Sequence, residues 1–514
     1  MDLLSHIIET TNDYIDKMPK SQRKKYGQFF TSKETAVFMA RLFRFPEEKD
    51  VWHILDPGAG TGVLTAALID RIQNETSVLR IILTCYENDK DIIGVLKENL
   101  NWICQHSSVL IDYQIKTDNY IVSQVFDYNS LIGANLTAEK YDLIIGNPPY
   151  MKIAKTAPEA KAMPDICYGA PNLYFLFTAM GIFNLKENGE LVFIIPRSWT
   201  SGAYFKRFRQ KLFNECALVH IHLFESRDKV FDKESVLQET IIIKIQKTTD
   251  LPKKICITKT QSNKDFSDLS TFFVSYDTVI FGKEKYVYLI TDKKDEDTVN
   301  QVHIWQDTLP ELGLAMKTGL TVDFRNSDCL RDSAGENAVP LFYSQHIKEG
   351  KVVFPIQKDG EYIETLQPGL LQNNANYLFV KRFTAKEEAR RLQCGIYLSR
   401  SQPEYKKIST QNKINFIGGS IDLPESIFFG LYVLFNSTLY DDYYRILNGS
   451  TQVNSTEINT MPIPPYAEIK EMGEQLMTEN DLSVQICDNI LRRHIYDTKS
   501  RRIKEDIEGI ADAG

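Results

Sequence analysis

The sequence predicts an α/β protein with a doubly wound, mostly parallel sheet, followed by a mixed α+β C-terminal domain. Three observations carry that expectation. Short apolar runs alternate with helical periodicity through the first half of the chain. A glycine-rich loop, Asp56-Pro57-Gly58-Ala59-Gly60-Thr61-Gly62, joins the first such run to a helix. A further run, Leu143-Ile144-Ile145, ends at Gly146 before the rigid turn Asn147-Pro148-Pro149-Tyr150.

Composition bounds the class. At 514 residues the chain has room for two or three domains and a substantial core. The N-terminus, MDLLSHIIETTNDY, lacks a basic region followed by an apolar one, and no apolar run approaches membrane-spanning length. The expectation is a cytoplasmic protein with no membrane partner. Eight scattered cysteines without a CxxC pair suit a reduced compartment and argue against a structural zinc site. A net charge of −8 does not advertise nucleic acid, so the local basic runs Lys20–Lys25, Lys206–Lys211 and Lys381-Arg382 matter more.

In chain order, residues 1–25 read as helical and charged. Tyr26-Gly27-Gln28-Phe29-Phe30-Thr31-Ser32 breaks that pattern, and Thr31 or Ser32 is placed to cap a helix from Lys33 to Phe43. Val51–Leu55 is a strand running into the glycine-rich loop. Its glycines follow G-x-G-x-G, and an acidic residue opens it, which fits a nucleotide cofactor without a pyrophosphate. S-adenosyl-L-methionine is such a cofactor, with Asp56 facing its cationic amino group. The next strand, Arg80–Tyr86, ends at Glu87, placed to accept ribose hydroxyls. Gln124-Val125-Phe126-Asp127-Tyr128 follows another extended segment, where Asp127 is placed to accept from the cofactor adenine, with Phe126 or Tyr128 against the ring.

Beyond the Asn-Pro-Pro-Tyr turn, Met151–Ala170 mixes Lys, Ala and Pro and reads as mobile. A helix carrying Leu173, Leu176, Phe177 and Met180 follows, then a strand Leu191–Ile195. Ala217–Phe224 and Thr240–Ile245 read as a last strand pair around a polar loop whose apolar members are Val230 and Phe231. The expected organisation is a catalytic domain over 1–250, a linker or small lobe over 251–300, a recognition domain over 301–465 and a helical segment over 466–514.

The turn at Asn147 states its chemistry most openly. It presents the Asn side-chain carbonyl and the Pro148 backbone carbonyl at a strand's C-terminal end, beside the aromatic Tyr150. Two acceptors and a π-face suit a planar amine such as the exocyclic amino group of adenine. Such a nitrogen is a poor nucleophile because its lone pair is delocalised. Acceptors on both N–H bonds draw it toward tetrahedral geometry and localise that pair.

Tyr26–Ser32, Asp56–Gly62, Glu87, Asp127 and Asn147–Tyr150, in that order, resemble the gamma-class N6-adenine DNA methyltransferases of bacterial restriction–modification systems. The resemblance covers about residues 20–250, and Asn448–Pro465 is similar to the end of their target-recognition regions. It implies the S-adenosylmethionine-dependent methyltransferase fold, the cofactor S-adenosyl-L-methionine and double-stranded DNA as substrate. A separately encoded cognate restriction endonuclease is the further partner it implies. It implies that Tyr26, Gly27, Phe29 and Thr31 contact the methionine end of the cofactor, and that Asp56, Gly58 and Gly60 form its loop. Glu87 would hold the ribose and Asp127, with Tyr128, the cofactor adenine. Asn147 and Pro148 would grip a flipped adenine between Tyr150 and Phe231, with Phe224 a competitor for the last role.

Other readings remain open at this level. An RNA or protein-glutamine N-methyltransferase would use a similar turn, although such enzymes usually lack a large C-terminal lobe. A silent DNA-specificity subunit would have no need of Asn147, Asp56 and Glu87. A fused nuclease lacks a convincing metal motif, since Glu239 and Lys244 are wrongly spaced for E-x-K.

Overall fold

Strands buried on both faces need apolar side chains at successive positions, and the runs in the first half meet that requirement. In the computed structural model they form β1 (Val51–Pro57), β2 (Arg80–Tyr86), β3 (Leu110–Lys116), β4 (Tyr141–Gly146) and β5 (Leu185–Pro196), all parallel. β6 (Ala217–Phe224), β7 (Thr240–Gln246), β8 (Lys254–Thr260) and β9 (Ser270–Ser275) complete one nine-stranded sheet, ordered β3-β2-β1-β4-β5-β7-β6-β8-β9. β7 runs antiparallel to both β5 and β6. The structure describes residues 2–17, 31–45, 49–130, 138–224, 239–263, 266–385, 387–419, 423–479 and 481–511.

Helices α1 (Leu3–Lys17), α2 (Lys33–Arg41), α3 (Val63–Glu75) and α4 (Lys90–His106) bury Leu4, Ile7, Phe38, Leu68 and Leu96 in one core with Ile54, Ile81 and Leu83 of the sheet. Ser32 caps α2, its hydroxyl accepting from the Thr35 N–H at 3.3 Å. The short helices α5 (Val125–Asn129) and α6 (Pro158–Ala162) precede α7 (Leu173–Asn184), which is buried almost throughout, and α8 (Lys206–Glu215).

The chain divides into two compact units, Met1–Thr291 and Asp292–Gly514. The first boundary therefore differs from the expected one at 250. Lys254–Thr260 and Ser270–Ser275, expected in a linker, extend the sheet as β8 and β9, and Val274 and Ile257 are buried there. In the second unit, a six-stranded sheet includes Leu314–Thr318, Ile414–Gly419, Tyr377–Lys381 and Cys394–Tyr397 as neighbours. Helix Glu425–Asn436 packs against Tyr466–Glu479 and Val484–Ala511, so residues after 466 join the core of this unit. Among the described residues no helix is long and apolar enough to cross a membrane.

A buried ion pair stitches the antiparallel half of the first sheet to α2. Lys244 Nζ on β7 lies 2.7 Å from Glu190 Oε1 on β5 and donates to the Leu42 carbonyl, also at 2.7 Å. The Arg44 N–H donates to the other Glu190 oxygen at 2.9 Å. Removing one partner strands a buried charge. Lys244→Ala should therefore lose about 3–5 kcal/mol of stability, read as a lower urea midpoint for the first unit.

Candidate cofactor and target-base site

The strand order reverses between β1 and β4, where open α/β sheets bind ligands beyond their C-terminal ends. Leu55 of β1 pairs with Ile144 of β4, so the loops after Pro57 and Gly146 open side by side. Gly58, Gly60 and Gly62 all take positive φ, at 79°, 57° and 91°, a conformation that L side chains adopt at a cost. The N–H groups of Gly58 and Ala59 donate to the Tyr86 carbonyl at 2.8 and 3.0 Å, fixing the loop against the end of β2.

Two carboxylates border this loop. Asp56 is 1% exposed; Oδ2 accepts from the Thr65 hydroxyl at 2.7 Å, while Oδ1 has no partner. Burial, opposed by that hydrogen bond and reinforced by the Glu87 charge, pushes its carboxyl up to about 7. Glu87 accepts from the Gly60 and Asp89 N–H groups, each at 2.9 Å, so it braces the loop. Burial raises its carboxyl too, opposed by those same hydrogen bonds. An orphaned anionic oxygen and a glycine-lined cradle are what a nucleoside carrying a cationic amino-acid group requires. A Cβ built on Gly60 would meet nothing within 4 Å, so the loop has open space beside it. The residues present fit S-adenosylmethionine, with Asp56 and Glu87 as its acceptors.

The target-base turn is held by hydrogen bonds on both sides. A Cβ on Gly146 would lie 2.8 Å from the Phe193 ring, so only glycine lets β4 end so close to β5. The Tyr150 hydroxyl lies 2.9 Å from both Asn147 Oδ1 and the Ile194 carbonyl oxygen, and shares its one proton between them. Asn147 Nδ2 donates to Thr31 Oγ1 at 3.3 Å. The two hydroxyls hold the carboxamide from both ends. Thr31, expected at the methionine end of the cofactor, is buried and braces Asn147. Pro148 is buried behind the turn. Tyr150 meets Tyr174 edge to face at 6.5 Å, and Tyr174 shares a 2.8 Å hydrogen bond with Ser198. The segment expected to be mobile is tied down at its start, with the Ile153 N–H on the Pro171 carbonyl and the Leu173 N–H on the Met151 carbonyl, both at 2.8 Å.

Two placements need correction. Asp127 and Tyr128 come after the third strand but not at its tip; they lie on α5, eleven and twelve residues beyond the end of β3 at Lys116. Gln124, just before α5, accepts from Asn184 at 2.7 Å, and Tyr128 packs edge to face on Phe183. Those contacts put α5 near the start of β5, away from the strand ends that carry Asp56 and Asn147. Asp118 is exposed in the bend two residues after Lys116, whose carbonyl accepts from the Glu87 N–H at 3.1 Å, so it lies closer than Asp127 to the tip of β3. Phe177 of α7, half-buried and 3.8 Å from a Cβ on Gly58, supplies an aromatic wall that the sequence reading assigned only to packing. The second concerns Lys206–Lys211: Lys206 and Arg207 are exposed, but Arg209 is fully buried and donates to the Trp199, Ser201 and Glu284 carbonyls, so it adds nothing to that basic face. Tyr26, Gly27, Phe29 and Phe231 lie outside the described residues, as does the run Lys20–Lys25. Phe224 packs edge to face on His222 at 4.6 Å within an aromatic cluster.

Comparison with known proteins follows the geometry. The chain matches the Eco57I restriction-modification methylase family over residues 64–231. It is 32% identical to the type II methyltransferase M.PstI of Providencia stuartii, over 92% of this chain and 93% of that one. The chain belongs to the type II methyltransferases of restriction–modification systems. M.BsuBI of Bacillus subtilis is 33% identical over 88% of this chain and 90% of its own length. A putative class I S-adenosylmethionine-dependent methyltransferase from Listeria monocytogenes superposes on 46% of this chain and 68% of its own, at 18% identity and a TM-score of 0.36. As a member of that family, this type II methyltransferase acts on DNA.

Asp56 and the two aspartates give separate checks. An ammonium group favours the ionised form of Asp56, so cofactor affinity should rise between pH 5.5 and 7.5, by up to about tenfold per pH unit. In the ligand-free protein the sign is opposite. A raised carboxyl pKa stabilises the fold at low pH, and that contribution is lost as pH rises through about 7. Asp56→Asn should flatten both profiles, in titration calorimetry and in thermal melting respectively. Asp118→Ala should weaken S-adenosylmethionine binding while Asp127→Ala leaves it unchanged; the reverse order would restore the original placement.

Proposed function

We propose that this protein transfers a methyl group from S-adenosyl-L-methionine to the N6 amino group of an adenine flipped out of double-stranded DNA at a defined site. The observation that carries this reading is the position of the Asn147 carboxamide, at the mouth of β4 beside the glycine-rich loop that follows β1. The Tyr150 and Thr31 hydroxyls hold it there, at 2.9 and 3.3 Å. An amide oxygen has two lone pairs, so accepting from Tyr150 is compatible with accepting from the amine of a target base. The Pro148 carbonyl is the second acceptor of the proposal.

When bound, S-adenosylmethionine supplies an electrophilic methyl group on a sulfonium. The chain's own residues orient and activate the acceptor. Two acceptors on the amino group localise its lone pair, and no side chain need remove the proton beforehand, because it becomes acidic as the nitrogen–carbon bond forms. Asp56 would hold the cofactor's amino group and Glu87 its ribose, with Asp118 beside its adenine and Phe177 against the ring. Tyr150, with Phe231, offers a flat face to the extruded base, an interaction of about 1–3 kcal/mol per base against an unstacking cost of a few kcal/mol. The modification would protect host DNA from a separately encoded endonuclease of the same specificity.

Expression in a host without adenine methylation, followed by sequencing that distinguishes N6-methyladenine from N4-methylcytosine, tests the reading. One methylated adenine motif is expected; methylation at cytosine would overturn the base assignment, because its exocyclic amine fits the same two acceptors. Asn147→Ala should cut turnover by roughly 10²-fold or more with cofactor binding retained. Tyr150→Phe keeps the ring and removes only the hydroxyl that holds Asn147. Its loss should be smaller and fall on turnover more than on DNA affinity.

A further inference from the structure

Four loops of the second unit meet at one end of its six-stranded sheet and are bound to one another by main-chain hydrogen bonds. The loop 319–326 follows strand Leu314–Thr318, and 381–385 follows strand Tyr377–Lys381. The turn 411–413 precedes strand Ile414–Gly419, and 449–453 follows helix Thr438–Leu447. The Asn412 N–H donates to the Thr321 carbonyl at 2.8 Å, and the Arg382 N–H to the Lys413 carbonyl at 2.9 Å. The Val453 N–H donates to the Arg382 carbonyl at 2.8 Å, and Asn415 Nδ2 to the Val453 carbonyl at 2.7 Å. The loops therefore form one surface rather than four independent ones.

Its chemistry differs from that of the chain as a whole. These loops carry Arg325, Lys381, Arg382 and Lys413 against the single carboxylate Asp323, in a protein of net charge −8. Asp323 turns back on its own loop, accepting from the Phe324 N–H at 3.0 Å. Among the nearest acids beyond the loops, Glu388 is turned back likewise, accepting from the Ala385 N–H and from Gln393. Two large rings project from the same surface, Phe324 at 75% exposure and Phe383 at 45%. Each carries an arginine beside it: the Arg325 guanidinium lies 5.5 Å from the Phe324 ring, and Arg382 lies 5.4 Å from Phe383. Beneath them Gln411, 1% exposed, has an amide Nε2 with no partner. Exposed aromatics beside cations on an electropositive end suit a polyanion that also offers flat, edge-readable groups.

We propose that this loop cluster is the surface that reads duplex DNA, with Arg382 as its base-reading group. The inference rests on the functional reading above and adds the part of the second unit that sets specificity. Arg382 is the better placed of the two arginines, because its Nη1 donates to the Asn412 carbonyl at 3.1 Å, which limits the rotation of the guanidinium and leaves the donors on Nε and Nη2 for a partner. A pre-oriented fork matches two acceptors on a base edge in the major groove. Arg325 and Lys413 supply phosphate contacts, and Phe324 and Phe383 apolar ones.

The test uses the full chain expressed in a host without adenine methylation, with the methylated motif and its fractional occupancy read by sequencing. Arg382→Ala should broaden the motif at one position or lower occupancy there by roughly 5- to 100-fold relative to the other positions. Arg382→Lys keeps the charge and loses the fork, so it should relax the same position. Arg400→Ala, at the opposite end of the same sheet and paired with Glu425, should leave the motif unchanged. Thermal melting checks that each variant folds, and the lysine variant carries the test should the alanine one not. An unaltered motif in both Arg382 variants, or a decline that is uniform across positions, overturns the assignment while leaving the methyltransferase reading standing. No adenine methylation from the unmodified chain, with S-adenosylmethionine still bound, sinks the functional reading instead.

Discussion

The register between β1 and β4 is the constraint on which the first unit depends. With Leu55 opposite Ile144, the cofactor loop and the target-base turn emerge at the same level on adjacent strands. A slip of one residue would reverse which side chains face each layer and move Asn147 relative to Asp56. Burial forbids it, because Ile54, Leu55, Leu143 and Ile144 are all enclosed. The same packing reaches β5, whose Phe193 requires glycine at 146. Catalytic geometry here is therefore a by-product of core packing, held more firmly than loop residues alone would allow.

That rigidity extends to Asn147. Hydroxyls at both ends, of Tyr150 and Thr31, hold its carboxamide in place, and Tyr150 is itself anchored to the β5 carbonyl of Ile194. The tyrosine thus has two separable parts: a ring that offers a face, and an oxygen that anchors the amide. Asp56 shows the complementary economy. Its burial pushes its carboxyl up to about 7, a cost of ionisation that a cationic partner would offset.

Much of this was legible in the sequence, for a physical reason. The glycine loop and the Asn-Pro-Pro-Tyr turn are contiguous, and each follows a central strand whose continuous apolar run marks where it ends. β3 is an edge strand with Asp112, Tyr113 and Gln114 facing outward or half-exposed, so its end is not marked by hydrophobicity. Pattern alone therefore does not distinguish Asp118, just past that end, from Asp127 on the helix that follows. β8 has an apolar run of only three residues, Ile255-Cys256-Ile257, between polar ones, so it reads as a linker. The basic run in α8 misled in the other direction. Helical periodicity sets Arg209 beside Phe208 and Leu212, on the buried face, where its charge meets main-chain carbonyls. Thr31 illustrates a last kind of limit: its bond to Asn147 joins positions that no local pattern relates.

The contrast between buried and exposed arginines also explains how an acidic chain can engage a polyanion. Arg209 and Arg391 are enclosed and donate to main-chain carbonyls of distant segments, Arg209 to Glu284 at 2.9 Å and Arg391 to Ser450 at 2.7 Å. Neither is available to touch a partner. Arg325 and Arg382 sit instead on loops of the second unit beside exposed rings. A net negative charge suppresses indiscriminate adhesion to DNA, while a few cations on one rigid edge retain local attraction within a Debye length of about 8 Å at physiological salt. Affinity is then confined to encounters in which that edge faces the duplex. For an enzyme that must find one site among many, weak binding everywhere else is an advantage.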